Sequence, residues 1–512
     1  MSTLQLTIPA RDHAGPALRI KPREVRQWLE DLPYLDPARA ASLASRQLRV
    51  MNRQDMPTPA RLETLGQFLA AYRRLGDALP PGAGDTDKLG LLLRRLCQDI
   101  AFGYKISVSE LADDKRPALL GGRQLPRALL GAIHTLGLQL DHYYSHYQRA
   151  PRALWSECLT LYRYAREHGH ADYQDELAGA GKARLDEAFR RVALLRQSDP
   201  YRLPAGMVAA LSDYFRLHMA ASRICDNEAC CHNAFRLAET WKPDGIDSGQ
   251  APLYLDVDEL VMQLGEDIAR LEHHRQAQAI GLPGDLPAHT LLQTLRGLRQ
   301  HWVQHPERSS AREAVNSPVE MVCGLDAAWC MANGGEAFDP ERFLDGTHID
   351  IQATAGTLKN SQCQVPRILA CTALNHTAGG VAVHAEDEAQ AGPVAGQLVA
   401  VRRPGGRWVL AVCRWLSTHQ QLRGFESGLQ YLARDPAPTV IQPLDEGGPA
   451  RHQPAFILPP RDNEPVLLVP TGALEAGQLF KLRSDSGVRQ ARCTRILEQE
   501  TGYLRITFRP TG

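Results

Sequence analysis

The feature that most constrains this chain is a change of pattern near Pro306. Before it, apolar residues recur at spacings of three and four, which places them on one face of a helix. After it they gather in short β-branched runs bounded by glycine or proline, the pattern of strands. One core serves both patterns poorly, and 512 residues exceed what a single core supports. About two to four domains are therefore expected.

The helical part is punctuated by proline. Over residues 22–32, Val25, Trp28, Leu29 and Leu32 share a face, and Pro22 stands where a first helical turn accepts proline. Asp36-Pro37 is a cap-and-start signal for a helix over 38–51. Pro57 and Pro59 introduce Leu62, Leu65, Phe68, Leu69 and Tyr72, and a breaker cluster over 80–84 closes that segment. Two long helices, 127–147 and 151–168, meet at Ala150-Pro151 and carry aromatic residues suited to packing between neighbours. Further helices are expected over 186–196, 204–223 and 257–271. The result is an all-α helical array over residues 1–300. It resembles a tetratricopeptide-like solenoid, without a clean period of about 34 residues.

Beyond it the strand signals are Val319–Cys323, 398–401, 408–412 and 465–469, with Pro404-Gly405-Gly406 as a hairpin turn. Residues 301–435 are expected to form an antiparallel β-barrel, with the polar stretch 331–364 inserted in it. Residues 436–460 read as a proline-rich linker, and 461–512 as a small C-terminal β unit.

Lys+Arg and Asp+Glu both total 58, so no global field draws the chain to a nucleic acid polymer or an anionic membrane. No apolar run approaches the roughly 18–20 residues that span a bilayer. The first twenty residues carry Arg11, Asp12, His13 and Arg19 and lack the apolar stretch of a signal peptide. Eleven cysteines, sparse and irregular, suit reduced thiols in a cytoplasm better than a secreted disulfide scaffold.

Several chemical signals are set aside. Cys225, Cys230, Cys231 and His232 lack a second ligand pair for tetrahedral zinc. His142 and His146 have metal-pair spacing but sit among tyrosines, so a packed helix contact is expected. Gly179-Ala-Gly-Lys182 lacks the upstream glycine and the Ser/Thr of a phosphate loop. No nucleophile, base and orienting group assemble into a catalytic set, so a non-enzymatic protein without cofactor or metal is expected.

One ordered constellation remains. Arg308-Ser-Ser-Ala-Arg312 precedes the strand Val319–Cys323, and Asn375-His-Thr-Ala-Gly-Gly380 lies between two further strand signals. Val412-Cys413-Arg414-Trp415 and Gly428-Leu429-Gln430-Tyr431-Leu432 follow. This order resembles the PilZ family, small β-barrels that bind the second messenger cyclic di-GMP, whose pattern is RxxxR, then [D/N]xSxxG, then a strand ending in Arg-Trp. The resemblance covers roughly residues 300–435. Three departures stand out: Thr377 replaces the family's serine, Glu307 precedes Arg308 where the family often has arginine, and the two motifs are separated by a longer stretch than a minimal barrel needs.

The residue types suit that chemistry. Arginines four apart can hold phosphates through two N–H groups each and stack on guanine. An amide and a hydroxyl can bond a guanine edge, and a glycine permits close backbone approach. The resemblance thus implies a cyclic di-GMP effector with Arg308, Arg312, Asn375, Thr377 and Gly380 as ligand-binding residues. A protein partner would sit on the helical region. The alternative is a helical scaffold or adaptor whose barrel binds no nucleotide.

Overall fold

The structure is a computed structural model. It describes residues 4–10, 21–78, 88–113, 122–177, 181–227, 232–238, 251–304, 313–343, 366–386, 392–418, 424–444, 451–461, 463–484, 487–500 and 502–511. The chain divides into two units. One comprises Met1–Pro200, Gly206–Leu286 and Leu298–Gln304; the other comprises Tyr201–Ala205, Pro287–Gly297 and His305–Gly512.

The first unit begins with α1 (Pro22–Glu30), α2 (Pro37–Arg53) and α3 (Thr58–Gly76), each with proline in its first turn. Asp36 caps α2 by accepting the Arg39 amide at 3.0 Å. Next come α4 (Lys88–Asp113), α5 (Gln124–Ser145) and α6 (Arg152–Glu167). A hairpin of β1 (Gln174–Leu177) and β2 (Gly181–Arg184) leads into α7 (Leu185–Gln197) and α8 (Met207–Leu217). A small sheet of β3 (Arg223–Cys225), β4 (Ala234–Arg236) and β5 (Tyr254–Asp256) precedes α9 (Asp258–His274), and α10 (Ala288–Gln304) follows, its residues 288–297 belonging to the second unit. The region expected to be all-α is thus helical with two small sheets in its second half. Their strands are three or four residues long, too short to show a two-residue alternation in sequence.

Contacts of α1 with α3, α2 with α4 and α5 with α7 are those of helices in series. Helices α4 and α5 are central: α4 packs on α2, α3 and α5, and α5 on α3, α6, α7 and α8. Buried residues run round much of α4, from Leu89 and Leu93 through Leu96, Ile100 and Tyr104 to Ile106 and Val108. His142 and His146 share a helix turn with ring centroids 4.3 Å apart, and the His146 Nδ1 lies 2.7 Å from the His142 carbonyl.

The second unit holds two closed six-stranded antiparallel barrels. The first is built from β6 (Glu313–Cys323), β7 (Leu369–Thr377), β8 (Gly380–Ala385), β9 (Leu398–Arg402), β10 (Val409–Thr418) and β11 (Phe425–Arg434), with helix α11 (Leu325–Ala332) after β6. The expected turn at Pro404 joins β9 to β10, the Gly406 amide donating to the Arg403 carbonyl at 2.8 Å. The second is built from β12 (Ala437–Pro443), β13 (Gln453–Arg461), β14 (Glu464–Pro470), β15 (Leu479–Ser484), β16 (Gly487–Glu500) and β17 (Tyr503–Pro510). With strands numbered afresh in each barrel, both close in the cyclic order 1-2-3-6-5-4.

The linker expected over 436–460 is therefore corrected: it holds β12 and most of β13. Strands β14 to β17, expected as a small separate unit over 461–512, are the other four staves of the same barrel. The described prolines of β12 and β13 sit at ladder ends or in a register shift. Pro438 and Pro454 pair within the β12–β13 ladder, beyond the reach of the β12–β15 and β13–β14 ladders respectively. Pro443 pairs with Phe480 of β15 past the end of the β12–β13 ladder. Pro459 and Pro460 fall in the register shift between Leu458 and Arg461. A missing N–H costs little at such places.

One apolar cluster joins the barrels. Val322, Leu398, Ala400, Leu410 and Val412 of the first meet Val440, Phe456, Leu458, Val466 and Leu468 of the second around Leu325, Ala328 and Trp329 of α11. The Trp329 indole N–H donates to the Thr439 carbonyl at 2.9 Å. Phe338 and Phe343, within the stretch 331–364 expected to be an insertion, pack against the same cluster; residues 344–364 lie outside the described residues. The interior of the second barrel is separate, filled by Ile441, Leu467, Val469, Phe480, Cys493, Ile506 and Phe508 among others.

Candidate functional site

The second motif of the constellation forms the hairpin between β7 and β8, closed by the pair Thr377 and Gly380. Asn375 is half-buried on β7, opposite Ala314 of β6 on one side and Ala382 of β8 on the other. Both ladders shift register here, between Ala314 and Ser317 on β6 and between Ala373 and Asn375 on β7. Such bulges re-aim side chains at a barrel rim. Thr377 Oγ1 lies 3.5 Å from the Gly380 carbonyl, a weak contact that leaves the hydroxyl available.

Gly380 has a local reason to be glycine. A Cβ there would lie 2.3 Å from the Leu429 carbonyl oxygen of β11, so only glycine allows β8 to approach so closely.

Arg308 and Arg312 lie outside the described residues, as do Ser309 and Ser310. The first described residue after them is Glu313, the chain neighbour of Arg312. Glu313 opens β6 directly opposite His376, with its carboxylate 3.7 Å from the His376 Nδ1. The chain therefore enters the barrel beside the asparagine-threonine hairpin.

The Arg-Trp pair turns out to be architectural. Trp415 is the register partner of Gly428, and its indole occupies the space a side chain there would need. Arg414 donates to Gln430 at 2.7 Å and to Glu500 and Glu498 of the second barrel at 2.8 and 2.9 Å. Burial acts against the charge of its guanidinium, but the two carboxylates outweigh burial and hold it protonated.

Two residues that fasten the hairpin turn were not singled out as site residues in the sequence. The Tyr431 amide donates to the Gly379 carbonyl at 2.9 Å, and the Arg434 guanidinium donates to the Ala378 carbonyl at 3.2 Å. Burial raises the Tyr431 phenol against the opposing charges of Arg434 and Arg403, so it remains a neutral O–H group. Arg434 thus brings a described cation to the same turn as Asn375 and Thr377. Its signal in the sequence was its place at the end of the GLQYL strand, three residues past Tyr431.

The arrangement offers an amide, a hydroxyl, a phenol and a guanidinium around one hairpin. That set can bind a polar, anionic ligand. Among the described residues no group of three or more His, Cys, Asp or Glu side chains is arranged to hold a metal ion. No described helix is long and apolar enough to cross a membrane.

Comparison with known proteins adds one match. Residues 23–227, in the helical unit, match the family model described as the N-terminal domain of the cyclic-di-GMP receptor FimW. No curated protein and no solved structure matches the chain.

Proposed function

We propose that this protein is a cyclic di-GMP effector that takes the dinucleotide on its first barrel and a protein partner on its helical unit. The observation that carries the reading is the register of β6 on β7. Glu313 faces His376, and Arg312 is one peptide bond from Glu313. That register supports the reading in which the two halves of the PilZ-like pattern, more than sixty residues apart in sequence, meet at one rim. The match of the helical unit to a domain of a cyclic-di-GMP receptor supports the same reading from the other end of the chain.

In this mechanism Arg308 and Arg312 clamp phosphate and guanine, Asn375 and Thr377 bond the base edge, and Gly380 holds the hairpin that presents them. No covalent step is involved. Ligand binds one arrangement of barrel and helical unit better than another and so shifts which surface is displayed.

A second reading, a scaffold with a non-binding barrel, draws on the exposed Glu313 carboxylate at the same rim, which opposes an anionic ligand. Isothermal titration of the full chain with cyclic di-GMP separates the two. Micromolar or tighter binding is expected, weakened at least tenfold by Arg312→Ala with no change in thermal stability. Losing a charge-assisted hydrogen bond is worth about 1.5–3 kcal/mol, which corresponds to that factor or more. Absence of heat at about 100 µM ligand, where a micromolar site would be nearly full, leaves the scaffold.

A further inference from the structure

The two barrels share more than strand order. In each, an Ala-Gly-Gln-Leu turn precedes strand 4: Ala395-Gly396-Gln397-Leu398 in the first and Ala476-Gly477-Gln478-Leu479 in the second. Its glutamine side chain accepts the amide three residues back, Val394 at 3.0 Å and Glu475 at 2.8 Å. Its glycine donates to a cysteine carbonyl on strand 5, Cys413 at 2.7 Å and Cys493 at 2.8 Å. Strand 5 shifts register just after each cysteine. These coincidences align the barrels residue by residue.

The alignment shows what the second barrel carries where the first has its candidate site. The hairpin-closing pair Thr377 and Gly380 corresponds to Arg461 and Glu464. The pair Val412 and Gln430, one step before the cysteine, corresponds to Arg492 and Arg509. Arg495 lies on the same strand two residues past Cys493. Glu464 lies 3.3 Å from Arg509 and 3.9 Å from Arg495, and Arg492 has no ion-pair partner among the described residues.

Two arginines thus share one carboxylate while a third has no ion-pair partner among the described residues, on a chain with no net charge. Arg495 and Arg509 are 61% and 74% exposed, so their guanidinium groups face solvent. Two arginines directly opposite across a ladder repel. A guanidinium cluster of this kind suits a phosphate group, which accepts two parallel N–H bonds from each arginine.

We propose that the second barrel has a phosphate-binding site of its own at Arg492, Arg495 and Arg509, beside the Arg461–Glu464 pair that corresponds to the hairpin-closing Thr377–Gly380 pair of the first. The group bound is a phosphate ester, phosphodiester or free phosphate. The site does not depend on the first barrel binding anything.

The test uses the full chain carrying Arg312→Ala, so that the first barrel contributes least. It is titrated with inorganic phosphate and, separately, with cyclic di-GMP, against sodium chloride at equal ionic strength. Saturable binding of either probe is expected, weakened at least tenfold when Arg492→Gln and Arg509→Gln are added. Without ligand the added pair should leave the melting temperature unchanged or raise it, because a like-charge contact is removed. Saturation by phosphate identifies a free-anion site; saturation by the dinucleotide alone identifies a phosphodiester site. A response no different from chloride, or undiminished binding in the arginine variant, overturns the proposal. Failure of the first-barrel reading shows separately, as no effect of Arg312→Ala on dinucleotide binding in the otherwise native chain.

Discussion

Single side chains decide how the helical unit tolerates its polar interior. Lys105 of α4 and Glu157 of α6 form an ion pair at 2.7 Å with side chains only 3% and 7% exposed. The Thr7 amide donates to the same carboxylate at 2.6 Å, fastening the N-terminal segment to the bundle. Burial lowers the ammonium's proton affinity, and the hydrogen bond and charge of Glu157 partly restore it. Removing one partner leaves a buried charge uncompensated, whereas removing both does not. Glu157→Gln is therefore expected to cost about 3–5 kcal/mol by analogy with broken buried pairs. Lys105→Met with Glu157→Leu should cost much less. Calorimetry of the full chain compares them, and a double variant as unstable as the single one would refute the argument.

At the scale of the element, two glycines set how strands of the first barrel meet. A Cβ on Gly428 would lie 1.9 Å from the Trp415 indole nitrogen, and one on Gly380 would lie 2.3 Å from the Leu429 carbonyl. The first obstacle is a side chain and the second is backbone. Gly428→Ala should destabilise the barrel by about 1–3 kcal/mol through overpacking, and Trp415→Leu in the same chain should recover part of that. Gly380→Ala should resist rescue by any side-chain change, because the ladder itself must move. Thermal unfolding of the three variants tests this, and equal rescue at both positions would contradict it.

Across the whole second unit, Arg414 is a polar link between the barrels. It reaches Glu498 and Glu500, and Arg505 meets Glu498 at 3.1 Å from within the second barrel. Both glutamates are about one-fifth exposed, so losing Arg414 leaves two neighbouring carboxylates poorly compensated. Arg414→Ala is expected to cost about 2–4 kcal/mol, somewhat under the loss for a fully buried pair, and to separate the melting of the two barrels. Arg414→Lys should rescue little, since an ammonium lacks the planar fork that holds two carboxylates and Gln430 together. Unchanged, concerted melting of the alanine variant would show that the apolar cluster around α11 alone couples the barrels.

Local chemistry was enough to read much of this chain from its sequence. Prolines and Asp36 mark where α1, α2 and α3 begin, because a fixed φ and a side-chain cap act within one turn. Glycine and β-branched runs mark β6, β9, β10 and β14, and the motif around Asn375, placed between two strand signals, forms the hairpin of β7 and β8. The reading failed where partners are distant. Helix α4 escaped notice because packing against α2, α3 and α5 buries it on several sides, leaving no single apolar stripe to see. Strands β12 and β13 looked like a linker, since a proline's cost depends on which neighbours pair with it, and only the closed sheet sets that. The shared 1-2-3-6-5-4 closure leaves little trace in sequence beyond the Ala-Gly-Gln-Leu turns, because many apolar side chains can fill the same barrel. Arg414 likewise acquires its meaning from Glu498 and Glu500, more than eighty residues away. Local sequence therefore determined which segments are helix or strand, and tertiary structure decided which of them became neighbours, because register, closure and charge pairing depend on contacts distant in the chain.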